Sequence, residues 1–270
     1  MTVFQRMVMG ARERLAGEVE LCVLPNEERA KVFLEQTDTK KPVECVWNVP
    51  GLKEIGPRKP KPNLQTPLKL FYGGSLAPAR LPLLILQEII KLAGQIELEI
   101  VGYATYAAQK YIKSVVNMNE EVGQKIISYH GALSRRSELL AVADRCEAAL
   151  CLMPMSSPDL NMRTMAGASN KPFDAMARGL AVVISDIPDW KKLYLPGNNH
   201  ESGKGYRISD MGYGIAINPE DSESIRTGLD WMLNNRGKLW EMGERGRLKI
   251  QKDWNYKKIF QKVQNALEKT

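Results

Sequence analysis

The sequence predicts an α/β fold: a Rossmann-like parallel sheet with helices on both faces. Three observations lead there. From residue 68 onward, short apolar runs of strand type alternate with helical segments. Glycine or small-residue turns follow several of these strands, as in βα units whose turns lie at the carboxyl edge of a sheet. A proline-rich stretch at 51–67 separates this alternation from a shorter N-terminal region of helix, strand, helix and strand.

In chain order, residues 2 to about 36 read as a helix, a strand at Glu18-Val19-Glu20-Leu21-Cys22-Val23-Leu24, and a helix from Glu27 to Glu35 entered through Pro25 and Asn26. A second strand from Pro42 to Pro50 ends in a turn. Pro57, Pro60, Pro62 and Pro67 then stand among Arg58, Lys59 and Lys61, predicting an extended, semi-rigid, charged linker and the main domain boundary. Leu68-Lys69-Leu70-Phe71-Tyr72 is a buried strand that runs through Gly73-Gly74-Ser75 toward Arg80 and an apolar helix from Leu83 to Leu92. Gly-x-Gly-x-x-Gly is lacking there, so the dinucleotide fingerprint fails.

The alternation continues. Ile96 to Gly102 is a strand, Tyr106 to Val116 a helix, and Ile126 to Gly131 a strand containing His130. Ser134 serves as a cap for a helix at Ser137 to Ala143, and Ala148 to Pro154 is the next strand. Such a βαβαβ series implies right-handed crossovers. After a loop from Ser156 to Ala168, Ser169 and Asn170 are N-cap types for a helix through Phe173-Asp174-Ala175-Met176-Ala177, which Gly179 ends in the left-handed conformation. Leu180 to Ile184 is a strand closed by the turn residues Ser185, Asp186, Pro188 and Asp189. Pro196 to Tyr206 interrupts the pattern; Gly203-Lys204 within it fails as a P-loop, because Gly205 stands where Ser or Thr must bind magnesium. Tyr213 to Asp221 is a strand and turn, followed by helices from Ser222 to Leu233 and from Leu239 to Lys252. A last helix opens at Trp254-Asn255-Tyr256, with Trp254, Tyr256, Ile259, Phe260 and Val263 expected to pack as core.

Composition excludes several classes. The 270 residues suffice for one large or two medium cores. No apolar run approaches the roughly 18 residues of a membrane span, and Arg6, Arg12, Glu13 and Arg14 break any signal-peptide core, so a cytoplasmic location is expected. Cys22, Cys45, Cys146 and Cys151 form no Cys-x-x-Cys pair, and His130 and His200 are the only histidines; reduced thiols and no metal or other cofactor are expected. A net charge of +7 suits an anionic ligand or, through peripheral association, an anionic membrane surface. The basic residues are spread, without the arginine-rich or aromatic-interleaved block of a nucleic-acid binder.

The start of the 169–177 helix is the leading candidate site. A helix N-terminus offers unpaired N–H groups and a positive dipole end to a phosphate. Lys171 in the first turn is disfavoured by that dipole unless an anion is present.

Residues Ala168 to Val183 resemble, in order and spacing, the segment "Pro-Ser-Lys-Leu-Phe-Glu-Tyr-Met-Ala-Ala-Gly-Leu-Pro-Val-Val" of the nucleotide-sugar glycosyltransferases of GT-B architecture. Gly74, Ser75, Leu76 and Arg80 are similar to that family's "Gly-Arg-Leu-x-x-x-Lys", Asn48-Val49-Pro50 to the "Asn-x-Pro" before its linker, and Tyr213 to Asp221 to "Gly-x-x-Val-x-Pro-x-Asp". The resemblance covers roughly residues 15 to 265. It implies the C-terminal half of a GT-B fold: 68–270 as the nucleotide-sugar (donor) binding domain, 51–67 as linker, and 1–50 as the remnant of an N-terminal domain whose acceptor half is missing. It further implies hexosyl transfer from a nucleotide-sugar donor to a glycan or lipid acceptor, in polysaccharide or cell-envelope synthesis, without a divalent metal; the absence of Asp-x-Asp agrees. Carried over residue by residue, Gly74, Ser75, Arg80, Ser169, Asn170 and Lys171 would bind the diphosphate, Asp174 would accept sugar or ribose hydroxyls, and His130 and Gly131 would lie near the base.

Three departures qualify the match. Ser75 replaces a basic residue, Asp174 replaces Glu with a reach about 1.5 Å shorter, and Ala166 stands where many relatives carry a second Glu. With the short N-terminal region, Ser75 and Ala166 support an alternative, a non-catalytic nucleotide- or partner-binding domain derived from a glycosyltransferase. No general base and no acceptor-site residue is assigned.

Overall fold

The computed structural model describes residues 2–104, 109–201 and 205–268, in which the strands form two sheets. The first sheet is small. β1 (Cys22–Leu24) and β2 (Val43–Cys45) pair in parallel, with Cys22 opposite Val43, and are accompanied by helices Val3–Glu18 and Glu27–Thr37. Thr2 and Gln5 form a reciprocal capping box that starts the first helix. That helix runs through Glu18, so the predicted strand is shortened to begin at Cys22.

The second sheet contains β3 (Leu68–Gly73), β4 (Ile96–Val101), β5 (Ile127–Tyr129), β6 (Ala148–Cys151), β7 (Ala181–Ser185), β8 (Asn199–Glu201), β9 (Tyr206–Ser209) and β10 (Gly214–Ile217). Its order is β5-β4-β3-β6-β7-β10-β9-β8. The six strands from β5 to β10 are parallel, whereas β9 runs antiparallel to β10 and β8 antiparallel to β9. The interruption at 196–206 is therefore an antiparallel edge, and the sheet is mostly rather than wholly parallel. Taken in chain order, the parallel strands lie 3-2-1-4-5-6, the doubly wound arrangement in which ligands bind where the order reverses. Here that point lies between β3 and β6.

Alternating side chains load both faces. Leu68, Leu70 and Tyr72 of β3 point to one side, with Leu98, Ile100, Leu150, Val183 and Ile215, against Ile85, Leu86 and Ile89 of helix Leu83–Lys91 and Ile225 and Leu229 of helix Ser222–Asn234. Phe71, Ala149, Cys151, Val182 and Ile184 point to the other, against Phe173 and Met176 of helix Asn170–Ala177 and Ile250 of helix Arg236–Lys252. Gly179 turns at φ +70° after its helix, as expected.

Several boundaries differ from the sequence reading. Arg135, not Ser134, precedes helix Arg136–Ala143, and the Glu138 carboxylate accepts its N–H at 3.2 Å. The 156–168 loop contains a helical turn, Leu160–Arg163, capped by Asp159. Pro188 does not close a turn but opens helix Pro188–Tyr194, where its missing N–H costs nothing. The helix expected from Tyr106 is described over Gln109–Val122; Tyr106 itself and the pair Gly203-Lys204 lie outside the described residues.

The 51–67 segment follows the docked surface. It begins with a 3₁₀ turn at Leu52–Glu54. The Lys59 ammonium donates to the carbonyls of Ala143, Asp144 and Cys146, closing the C-terminal end of helix Arg136–Ala143, and burial pushes its pKa down to about 8. Trp240 Nε1 donates to Lys59 O at 2.9 Å, and the Arg58 guanidinium lies 4.9 Å over the Trp240 ring.

The small sheet is fastened to the large one by Asn26, whose side-chain NH₂ donates to Thr164 O at 2.8 Å and Ala166 O at 2.7 Å while its oxygen caps the following helix through Arg29 N–H. Trp47 stacks on Phe173 at 6.0 Å and meets the Trp254 edge at 5.5 Å. The last helix, Tyr256–Leu267, returns to the small unit through Tyr256 N–H to Pro50 O at 2.9 Å. Tyr256 is exposed and stacks on Phe260, so the expectation that it packs as core is corrected; Val263 is buried and Trp254 half-buried. Asn26→Ala removes a cap and two tertiary bonds together, so a loss of roughly 1–3 kcal/mol is expected, lowering Tm by about 3–10 °C in a thermal melt. An unchanged Tm would show that these bonds do not hold the units together.

Among the described residues no helix is long and apolar enough to cross a membrane, and no group of His, Cys, Asp and Glu is placed to hold a metal ion. All four cysteines are free.

Candidate functional site

The carboxyl ends of β3 and β6 and the start of helix Asn170–Ala177 enclose a cavity of about 300 Å³. Gly74, Ser75, Arg80, Asn170, Lys171 and Asp174 all line it, joined by Tyr103, Arg136 and Cys151. Residues nearly a hundred positions apart in sequence are thus assembled at the switch point of the sheet.

Lys171 is the centre of the arrangement. Its ammonium donates to Tyr72 Oη at 2.9 Å and sits 4.2 Å from the centroid of that ring, while the Tyr72 hydroxyl donates to Ser75 O at 2.6 Å. Gly74, at φ +133°, makes room: a Cβ there would fall 2.7 Å from Lys171 Cε. No carboxylate among the described residues ion-pairs with Lys171 or with Arg80, whose Nη2 lies 3.5 Å from Met162 Sδ. Burial pushes Lys171 down to about 8, nearby Arg80 acts in the same direction, and Cys151 opposes them. Burial also pushes the Cys151 thiol up to about 12 and raises the Tyr72 phenol, so both stay protonated at neutral pH.

Ser169 occupies the N-cap position, as expected, but makes no side-chain capping bond. Pro172 has no N–H, so the amides of Asn170 and Lys171 are those the helix start offers to an incoming acceptor. Asn170 is the first helical residue, and its NH₂ donates to Asp174 Oδ2 at 3.1 Å.

Asp174 is not an open carboxylate. Arg136 Nη2 donates to its Oδ1 at 2.6 Å and Nη1 to its Oδ2 at 3.2 Å, and the same guanidinium contacts Glu54. Burial raises the Asp174 pKa, with Arg136 pulling it down. Arg136, Glu54 and Tyr72 were not singled out from the sequence. A signal for Arg136 existed: like Lys171, it is a cation in the first turn of a helix, where the dipole disfavours it without a partner.

His130 and Gly131 lie at the carboxyl end of β5, two strands away from β3, and do not line the cavity. The His130 imidazole faces Glu99 Oε2 at 2.5 Å, and Gly131 O accepts the Gly102 N–H at 2.9 Å. Ala166 lines a separate cleft of about 350 Å³ between the small unit and the sheet, together with Trp47, Glu27 and Asp189. Chemically, the β3–β6 cavity presents two cations without an ion-pair partner among the described residues, Arg80 and Lys171, beside a helix N-terminus. That set matches a ligand with two neighbouring negative charges.

No family profile and no curated protein matches the sequence. Solved structures do match in fold. HepE of Anabaena, crystallised with UDP and glucose, superposes with a TM-score of 0.67 at 13% identity, covering 97% of this chain and 67% of HepE. The C-terminal domain of the glycosyl transferase group 1 protein LpcC of Francisella tularensis gives 0.55 at 14% identity, over 76% of this chain and 98% of that domain. The trehalose-phosphate synthase of Burkholderia xenovorans gives 0.63 at 10% identity, over 95% of this chain and 62% of its own length. The chain therefore has the α/β architecture of GT-B glycosyltransferases, and it spans about two thirds of the length of HepE.

Proposed function

We propose that the β3–β6 cavity binds a nucleotide-sugar and that the chain transfers its sugar to an acceptor, as a hexosyltransferase-type enzyme. The observation that carries this is Lys171: an ammonium desolvated at the switch point, without a carboxylate partner among the described residues, opposite Arg80 and beside uncapped helix amides. Such a cation is costly unless an anion arrives. A diphosphate fills the role, and these groups would stabilise the charge that grows on it as the sugar departs. HepE holds UDP, UDP and glucose, or UDP-glucose in its crystals, which makes UDP-glucose the first donor to test. Acceptors consistent with the reading are a glycan or a lipid.

A second reading, nucleotide binding without transfer, is favoured by Ala166, which supplies no carboxylate at its position. Release of UDP from UDP-glucose in the presence of candidate acceptors separates the two.

The binding itself carries a pH signature. With Lys171 depressed to about 8, the free cavity loses its proton through that pH, and an anion that needs the ammonium must restore it. Calorimetric titration should give micromolar UDP-glucose binding that is level from about pH 6.5 to 7.5 and weakens above about 8, by up to tenfold per unit. Lys171→Arg should bind with a level profile over the same range. Equal wild-type affinity at about pH 7 and 9 would contradict the assigned role of Lys171.

A further inference from the structure

The contact between Lys171 and Tyr72 joins the two faces of the sheet. Tyr72 belongs to the layer packed on helices Leu83–Lys91 and Ser222–Asn234, whereas Lys171 starts from helix Asn170–Ala177 on the opposite face. The lysine stem passes the carboxyl end of β3 at Gly74, where any Cβ would stand 2.7 Å from its Cε. Its ammonium donates to Tyr72 Oη at 2.9 Å, and that hydroxyl donates in turn to Ser75 O at 2.6 Å. The Tyr72 acceptor is neutral, because burial raises its phenol pKa; it orients the ammonium and leaves the charge intact, whereas a carboxylate would cancel it. An ammonium carries three N–H donors, and among the described residues Tyr72 Oη alone accepts from this one. The others are left, at fixed angles, for the cavity that Arg80 also lines.

Resting on the reading that the cavity takes a nucleotide-sugar, we propose that Tyr72 is a positioning residue for the diphosphate: it holds the Lys171 ammonium at one point over the carboxyl end of β3, opposite Arg80, and ties that point to the Gly74-Ser75 turn. A free lysine side chain loses rotamer freedom when it grips an anion; here Tyr72 and Gly74 impose that loss during folding, so the donor does not bear it. By accepting from the ammonium, the hydroxyl also favours its charged form. The other titratable and charged groups around the ammonium are Arg80 after β3, Cys151 from β6, Tyr103 after β4, and Arg136 and Asp174, which pair with each other. Of these, Arg80 disfavours the charge and Cys151 favours it. Tyr72→Phe keeps the ring beside the ammonium and removes the acceptor, so the lysine should lose its proton at lower pH and its tether to Ser75.

The test is calorimetric titration with UDP across pH on the wild type, Tyr72→Phe, Lys171→Met and the double variant, paired with carbon NMR of the Lys171 side chain in the unliganded protein. Tyr72→Phe should weaken UDP about fivefold or more near pH 7. The pH above which its binding falls should lie below the wild-type value of about 8, and the Lys171 titration midpoint should fall with it. In the Lys171→Met background the same substitution should change UDP affinity by no more than about twofold, because Tyr72 acts through the lysine. Equal weakening with and without the lysine would overturn the proposal, as would an unmoved Lys171 midpoint or a variant that loses Tm while its pH profile stays that of the wild type. Failure of the wild type to bind UDP would instead remove the nucleotide-sugar reading beneath it, and the Lys171 midpoint would still decide whether Tyr72 governs the ammonium.

Discussion

Lys171→Met should weaken UDP-glucose binding by about 10- to 150-fold, the equivalent of one charge-assisted phosphate bond of roughly 1.5–3 kcal/mol, and should at the same time stabilise the unliganded protein. The two effects share one cause. A lysine whose folded pKa is depressed from 10.5 to about 8 holds its charge at a cost in the folded state. The sign follows from linkage: below about pH 8 the penalty is present in full, and stability rises with pH between the folded and unfolded values as the ammonium discharges. Methionine keeps the apolar stem and removes that penalty, while forfeiting the bond to Tyr72 Oη and the contact with its ring. A net gain on the order of 1–2 kcal/mol is expected near pH 7, raising Tm by about 2–6 °C. A calorimetric titration and a thermal melt on the same sample check both halves. If Tm falls and binding is unaffected, Lys171 is a structural residue.

Gly74→Ala should have the second largest effect. A side chain at φ +133° is strained by about 1–3 kcal/mol, and its Cβ would lie 2.7 Å from Lys171 Cε. Backbone relief is blocked on the other side, because Gly102 packs so tightly that a Cβ on it would stand 1.7 Å from Gly74 O. The lysine must therefore leave its place over Tyr72, and UDP-glucose binding should fall at least tenfold. The clash with Lys171 can be separated from the backbone strain by a double-mutant cycle with Lys171→Ala. Removing the lysine should recover about 1 kcal/mol or more of the stability lost in Gly74→Ala; strict additivity would show that the two residues do not press on each other.

How far the sequence reveals this molecule depends on the range of each interaction. Apolar strands, Gly179 after its helix and Gly74 after β3 are local matters of periodicity and backbone conformation, and they were legible. Lys171 was legible too, because a cation in a first helical turn conflicts with the dipole whatever the fold. Arg136 escaped because its partners Asp174 and Glu54 lie 38 and 82 positions away, and only the packed sheet brings them together. For the same reason Asp174 reads as a free carboxylate in the sequence and is an ion-paired one in the structure. The antiparallel edge was missed because β8 and β9 are three and four residues long, too short to show alternation against a polar background. Prolines in 51–67 do signal an extended path, but Lys59 and Trp240, 181 positions apart, decide that it is docked.

Amide NMR during addition of UDP-glucose to isotope-labelled protein tests the central claim most directly, because it reports where the ligand sits. The expected result is a saturable set of shifts centred on Gly73, Gly74 and Ser75 after β3 and on Ser169, Asn170 and Lys171 at the helix start, greatly reduced in Lys171→Met. Shifts centred instead on the Trp47 cleft, or no saturable shifts in a folded sample, would contradict a nucleotide-sugar site between β3 and β6.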